Sequence, residues 1–343
     1  MRIDWFQAFP AIGEGISGAA CRRPRQGALR ISRSLGLPAN AACSCCRSTH
    51  HCCADAFAGI SPPAAQPGPW VPMRGHLKFH QAVKGMEIEQ KIIFSGEQLD
   101  VYFASYVGME GGNPAAAIWF CDSTPHPWTE SLLAPLIPRR HPGAWDAAFR
   151  ATNREAMERW QSHQKVARIM CAARTQVLGP SREISSWQDY YANHLYAPGG
   201  AEFKLSLFPL PAHLVGDQPW SKAFRGQPEL VPKQRYLERC RNGGRFRFIS
   251  EIRRRWRPKL VVCLGERHRE DYVRAFGLER ASARDYVLQP ADLAKTLRLF
   301  EADGTTWVIC PALAGASGLT SDVLLEAMGR YIARWLEPGD FPN

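Results

Sequence analysis

The chain has 343 residues, of which 45% are hydrophobic and 22% charged, proportions that exclude wholesale disorder and leave enough material for a sizeable core. Its 43 Lys and Arg outnumber its 32 Asp and Glu, a formal charge of +11 that suits polyanionic partners and says nothing of fold. The longest apolar runs, Ala115–Cys121 and Trp307–Ala316, fall short of the roughly 20 residues a spanning helix needs, so the expectation is a soluble cytoplasmic protein with no membrane partner.

Residues 1–72 differ in texture from the rest. They hold seven Arg and no Lys, and they end in Ser61-Pro62-Pro63 and Pro67-Gly68-Pro69. Neither helical nor strand periodicity persists there, and the expectation for residues 1–75 is a disordered Cys/Ala/Pro-rich extension. A further reading is upstream sequence wrongly included, with Met73 or Met86 as the true start. Cys43, Cys45, Cys46, His50, His51, Cys52 and Cys53 crowd into eleven residues, without the two spaced ligand pairs of a zinc site, so no metal is expected. Cys121, Cys263 and Cys310 sit in apolar runs as small hydrophobes.

From Met86 the pattern is globular. Glu87–Phe94 and Leu99–Tyr106 alternate as hairpin or edge strands. Gly108–Pro114 reads as a tight turn, since it lacks the Lys-Ser/Thr of a phosphate loop and precedes a strand. Pro114–Cys121 is a buried strand, and Gly143–Val177 a long, interrupted helical region. Ser185–Leu195 is a short aromatic helix, Phe203–Pro209 a second strand, and Phe246–Trp256 a basic helix stopped by Pro258. Lys259–Gly265 is a third strand, followed by a helix over Glu266–Phe276 that Gly277 closes. Pro290–Glu301 is expected as a helix, with Asp303-Gly304 turning the chain into a fourth strand, Thr305–Pro311. Ser321 caps the last helix, Ser321–Leu336. Strands alternating with helices predict an α/β fold of three layers, α/β/α, around a central, mostly parallel four-stranded sheet, in one domain over residues 86–340.

Ligands in such sheets bind beyond the carboxyl ends of the strands. That rule selects Cys121–His126, Phe208–His213, Gly265–His268 and Cys310–Ser317. Asp122 ends the first strand, where a carboxylate can orient a water or simply cap the turn. Phe208 is either a stacking face for a flat ligand or a core residue. Gly265, Arg267 and His268 offer close backbone approach and positive charge at a helix start. Gly315 and Ser317 lie in a small-residue loop that either meets a phosphodiester or merely leads into the capped helix. Arg253–Lys259 is a basic run at the amino end of its strand, opposite the predicted site. No Ser-His-Asp triad, Gly-x-Ser-x-Gly elbow or His-Glu-x-x-His motif occurs.

In the order of these four tips, residues 100–336 resemble the uracil-DNA glycosylase superfamily. Glu110-Gly111-Gly112-Asn113-Pro114 running into Ile118-Trp119-Phe120-Cys121 looks like the entry to the family's first strand. Lys204–Pro211, Pro258–Gly265 and Val308–Pro311 are similar to its later ones. The resemblance implies a monomeric, cofactor-free, DNA-acting hydrolase that cleaves the N-glycosidic bond of a flipped, damaged base. Asp122 would be catalytic, Ser206 and Phe208 would bind the base, and Gly265, Arg267, His268, Gly315 and Ser317 would meet DNA. The sequence departs from the family at three places. Asp122–Pro127 lacks the first motif's glycines, Ser206 replaces a base-reading amide, and Ala312 stands where the family carries a histidine. The alternative is a non-catalytic nucleic-acid or nucleotide-binding protein of the same fold.

Overall fold

The computed structural model describes residues 93–125, 136–180, 186–212 and 219–342. Residues 1–92, and with them the extension and its cysteine cluster, lie outside the described residues, as do His126 and His213.

In chain order the elements are α1 (Gly96–Phe103), β1 (Gly111–Gly112), β2 (Ile118–Asp122), α2 (Ala147–Met157) and α3 (Gln161–Leu178). A one-turn α4 (Trp187–Asp189) runs into a π-helical turn, Tyr190–His194. Then come β3 (Glu202–Ser206), α5 (Trp220–Ala223), α6 (Lys233–Asn242), α7 (Gly244–Trp256), β4 (Leu260–Leu264) and α8 (Arg269–Phe276). The chain closes with β5 (Arg284–Leu288), β6 (Lys295–Ala302), β7 (Thr305–Cys310) and α9 (Asp322–Ile332).

The architecture is mixed α/β. Among the described residues the strands form one seven-stranded sheet, ordered β1-β3-β2-β4-β7-β6-β5. The expected four strands therefore give way to seven. β3, β2, β4 and β7 pair in parallel, whereas β1, β6 and β5 join antiparallel at the two edges.

Alternation along the strands divides the core between two faces. Ile118, Phe120, Leu260, Val262 and Val308 pack with Val166, Ile169 and Met170 of α3 and Leu325, Met328 and Ile332 of α9. Trp119, Cys121, Phe203, Leu205, Val261 and Trp307 pack on the other face with Phe103, Tyr236, Ile249 and Phe276 of α1, α6, α7 and α8. Every residue of β4 is buried, as a strand covered on both faces requires. No helix among the described residues is long and apolar enough to cross a membrane.

Two sequence expectations fail here for identifiable reasons. Residues 290–301 are not a helix, because Lys295–Ala302 is the strand β6. Leu297 and Leu299 are buried at period two, and Asp303 and Gly304 both have positive φ, 48° and 74°, which closes a tight hairpin to β7. Leu99–Tyr106 is not an edge strand. Ser95 and Gln98 form a reciprocal capping box that starts α1, with Leu99, Tyr102 and Phe103 buried at helical spacing.

Helices α3 and α9 meet at Gly329, where a Cβ would collide with the Ile169 carbonyl oxygen and approach the Ala172 Cβ to 2.6 Å. Alanine gains up to about 1 kcal/mol in helix propensity, but the obstacle is backbone, and overpacking of that kind costs about 1–3 kcal/mol. Gly329→Ala is expected to lower the urea unfolding midpoint. A midpoint equal to the parent's would mean that the two helices stand further apart than described.

Candidate functional site

Parallel pairing brings the carboxyl ends of β3, β2, β4 and β7 to one side of the sheet. Asp122 ends β2 directly opposite Ser206 at the end of β3. Leu264 ends β4 opposite Cys310 at the end of β7. Beyond them the Gly265 amide donates to the Cys310 carbonyl oxygen at 2.9 Å. A Cβ placed on Gly265 would lie 3.8 Å from the Ala312 Cβ and 4.0 Å from the His268 ring, so the segments Gly265–His268 and Cys310–Ser317 converge.

Beneath this tip runs a buried polar stripe. Glu202, Lys204 and Ser206 alternate along β3, so all three project to the face that carries Ile118 and Phe120 of β2. The Lys204 side chain is 2% exposed; its ammonium bonds the Glu110 carboxylate and lies 3.8 Å from Asp122 Oδ2. The other Glu110 oxygen is 3.2 Å from His163 Nε2, and His163 Nδ1 is 3.5 Å from the Tyr196 hydroxyl. Trp145 and Trp160 pack edge-on against the imidazole, at 5.1 and 5.8 Å.

Local sequence explains how Glu110 reaches a lysine 94 positions away. The tight-turn reading of Gly108–Pro114 holds at its ends, at Gly108 and Pro114, while Gly111 and Gly112 between them pair as a strand. Gly111 and Gly112 form β1 against β3, and a Cβ on Gly112 would collide with the Glu202 carbonyl oxygen. Only a chain without side chains there can press close enough to lay Glu110 over Lys204.

These contacts set the charges. Burial acts to raise the Glu110 carboxyl, but Lys204 and His163 overcome it and hold the group well below the usual carboxylate range. Burial likewise disfavours the Lys204 ammonium, yet Glu110 and Asp122 raise its pKa, so it stays charged. Glu202 is different. Burial pushes it up to about 7, against the opposing bonds from the Tyr190 hydroxyl and the Tyr196 amide, each 2.6 Å. Burial and Arg267 lower the pKa of His268, while Asp271 and Asp122 act the other way.

The residues expected from sequence separate into groups. Asp122 stands at the tip with its side chain 29% exposed, and its Oδ1 accepts the Ser123 amide at 2.7 Å. Ser206 is fully buried beside it, and its hydroxyl has no partner among the described residues. Gly265 and the half-buried His268 belong to the same tip, with Arg267 exposed next to them.

Phe208 does not offer a stacking face. It is 2% exposed, its ring packs against Tyr236 and Phe246, and the Arg241 guanidinium sits 5.7 Å from its centroid. The backbone departs from strand alternation here: the consecutive amides of Leu207 and Phe208 donate to the Asp122 and Ser123 carbonyl oxygens, at 2.9 Å each, and both side chains lie in the core on the α6–α7 face. Gly315 and Ser317 are exposed in the loop after β7. That loop is tied down, because Lys165 bonds the Leu313 carbonyl at 2.6 Å and Lys295 the Ser317 carbonyl at 2.9 Å.

The basic run meets acids at the amino ends of the strands: Arg253 pairs with Asp303 at 3.1 Å, and Lys259 with Asp340 at 2.9 Å. Sequence reasoning missed Glu110, His163 and Lys204. The one available sign was a lysine set between Phe203 and Leu205 inside an apolar strand. Among the described residues no group of His, Cys, Asp or Glu is arranged to hold a metal ion. No protein-family model, no curated protein and no solved structure matches the chain.

Glu202 yields a pH prediction. Its ordinary value of 4.5 is raised to about 7 in the fold, so between those limits the native state binds more protons than the unfolded state. Its contribution to stability is full below about pH 4.5 and falls as pH rises to about 7, by about 3 kcal/mol at about 1.4 kcal/mol per unit. Glu202→Gln is expected to remove that slope. Urea unfolding of parent and variant at pH 5 and pH 7.5 checks it; parallel pH profiles would contradict the assignment.

Proposed function

We propose that the chain acts on DNA as a monomeric N-glycosidic hydrolase of the uracil-DNA glycosylase type, built on the parallel strands β3, β2, β4 and β7, with Asp122 as its catalytic carboxylate. The observation that carries this reading is the setting of Asp122. It is a partly exposed carboxylate at the carboxyl end of a central parallel strand, with one oxygen fixed by the Ser123 amide and the other turned to a buried ammonium.

Cleaving an N-glycosidic bond requires the base out of the stack, a water near the sugar carbon, and stabilisation of charge on both fragments. Asp122 keeps acceptor capacity beyond its two partners. It can orient the water, accept its proton, and face the cationic character that develops at the sugar. Lowering of the His268 pKa favours a neutral imidazole, which can donate a hydrogen bond to the departing base without first losing a proton. Exposed Arg267 adds positive charge on the side from which a phosphate backbone would approach. Ser206, expected from sequence to bind the base, is fully buried and presents no surface to a ligand.

The burial of Phe208 and the presence of Ala312 favour the second reading, a nucleic-acid or nucleotide-binding protein that performs no cleavage. In it the same tip holds a ligand, and salt-sensitive binding occurs without base release.

The test is base release by the full chain from single- and double-stranded DNA containing uracil, hypoxanthine or xanthine, with abasic sites read by strand cleavage after alkali. Asp122→Asn is expected to reduce release by about 10²–10⁴-fold, the usual worth of a positioned acid or base, while its unfolding midpoint stays near the parent's. Full activity in that variant would remove Asp122 from the mechanism. Salt-sensitive binding without release by the parent would establish the second reading.

A further inference from the structure

Lys204 is a buried ion with two anions, and its placement asks for more than a structural explanation. An ion pair this deep is poor value for stability, because apolar or neutral groups of similar volume generally serve as well or better. The pair nevertheless sits two residue pairs beneath the strand tip, on the same face of the sheet. Lys204 is registered with Phe120 on β2, and its ammonium reaches diagonally to the Asp122 carboxylate at 3.8 Å.

We infer that Lys204 is a positioning residue for Asp122, and that Glu110, backed by His163 and Tyr196, is the counter-ion that lets it act. The inference rests on the proposed role of Asp122. Glu110 balances the charge of Lys204 within the core. The ammonium therefore holds the Asp122 carboxylate by direction while the cluster as a whole keeps the negative charge of Asp122 at the surface. A lysine without Glu110 would pair with Asp122 alone and cancel that charge. A neutral residue at 204 would leave the carboxylate tethered only through the Ser123 amide, free to turn about its side-chain torsions. A fixed, uncompensated carboxylate is what a developing cation or a positioned water requires.

The experiment separates positioning from support. Lys204→Met alone strands a buried Glu110 carboxylate and is expected to unfold readily. The paired variant Glu110→Gln with Lys204→Met removes both charges together and is expected to regain the parental unfolding midpoint. The Ser123 amide, which donates to Asp122 Oδ1 at 2.7 Å, is the reporter. In the paired variant its proton resonance is expected to move and its exchange with solvent to quicken about tenfold, the worth of one ordinary hydrogen bond. Base release is expected to drop in kcat, with KM within about twofold. If Lys204 and Glu110 only support the fold, the paired variant recovers the Ser123 resonance and kcat along with stability, and the inference is overturned.

A second measurement needs no change at position 204. In folded Asp122→Asn the side-chain ammonium nitrogen of Lys204 is expected to shift in the ¹⁵N spectrum; an unmoved resonance overturns the contact. Absence of base release in the parent, with both NMR shifts present, would defeat the proposed activity and leave the positioning role standing.

Discussion

A protonated lysine inside an α/β sheet is the constraint from which the rest of this molecule follows. An unpaired ammonium at 2% exposure would be prohibitively unfavourable. Lys204 therefore demands an anion delivered from elsewhere in the chain, and a run of features serves that delivery. β1 is two glycines because a Cβ would collide with the Glu202 carbonyl oxygen at Gly112 and with the Gly143 carbonyl oxygen at Gly111. α3 brings His163 to the second oxygen of Glu110. Trp145, Trp160 and Tyr196 then close the space around the imidazole, so the cluster is sealed from water on that side. Even the Trp145 indole takes part, since its N–H donates to the Glu110 carbonyl at 3.2 Å.

A second buried cation shapes the same tip from the opposite face of the sheet. Arg245, on α7, is fully buried and has no carboxylate partner in the described structure. Its guanidinium donates to the carbonyls of Leu207 at 3.0 Å and of Ser105 and Val107 at 2.9 Å, and also bonds the Ser206 carbonyl. The planar fork suits this task and an ammonium does not, because the acceptors spread across two chain segments. Burial pushes the Arg245 pKa down to about 10, which still leaves it charged near neutral pH. The segment that follows α1 and the end of β3 are thereby joined to one point. Ser206 is held between Arg245 at its carbonyl and Asp122 across the strand pair. Its side chain is left as the one unsatisfied polar group there among the described residues.

Much of this architecture is legible from composition and period, and the failures share a cause. The buried parallel strands declare themselves as short apolar runs between turn residues, and β2, β3, β4 and β7 lie close to where those runs fall. Capping explains where α9 begins, since the Ser321 hydroxyl accepts the Leu324 amide. Residues 290–301 mislead because Pro290 resembles a helix start, while the stronger evidence comes after the segment: Asp-Gly with both residues at positive φ belongs to a hairpin. At Leu99–Tyr106 the alternation of apolar residues hides a capping box only four residues upstream. The site is harder to read for a different reason. Asp122 and Gly265 are visible as strand-end residues. Glu110, His163 and Lys204 come from three separate elements and have no shared spacing. Phe208 could be placed near the tip from sequence, but the direction of its ring depends on Tyr236 and Phe246, which only the packed structure supplies.

The electrostatic layering of the tip follows from these placements. Arg267 is exposed, while Arg241, at 24% exposure, is held by Asp271 in a two-point bond of 2.6 and 2.9 Å. The carboxylate of Asp122 is partly exposed, at 29%, and the Lys204 ammonium lies buried beneath it. Once water is excluded, the inner carboxylate acts over short distances in a lower dielectric, where it favours a group that becomes positive more than one that already is neutral. A site meant only to hold phosphate would have no use for a fixed anion at its floor, since that anion would repel the ligand. On the function proposed above, the carboxylate would address the sugar or base of a nucleotide and not its phosphates, with the buried lysine in the positioning role inferred for it.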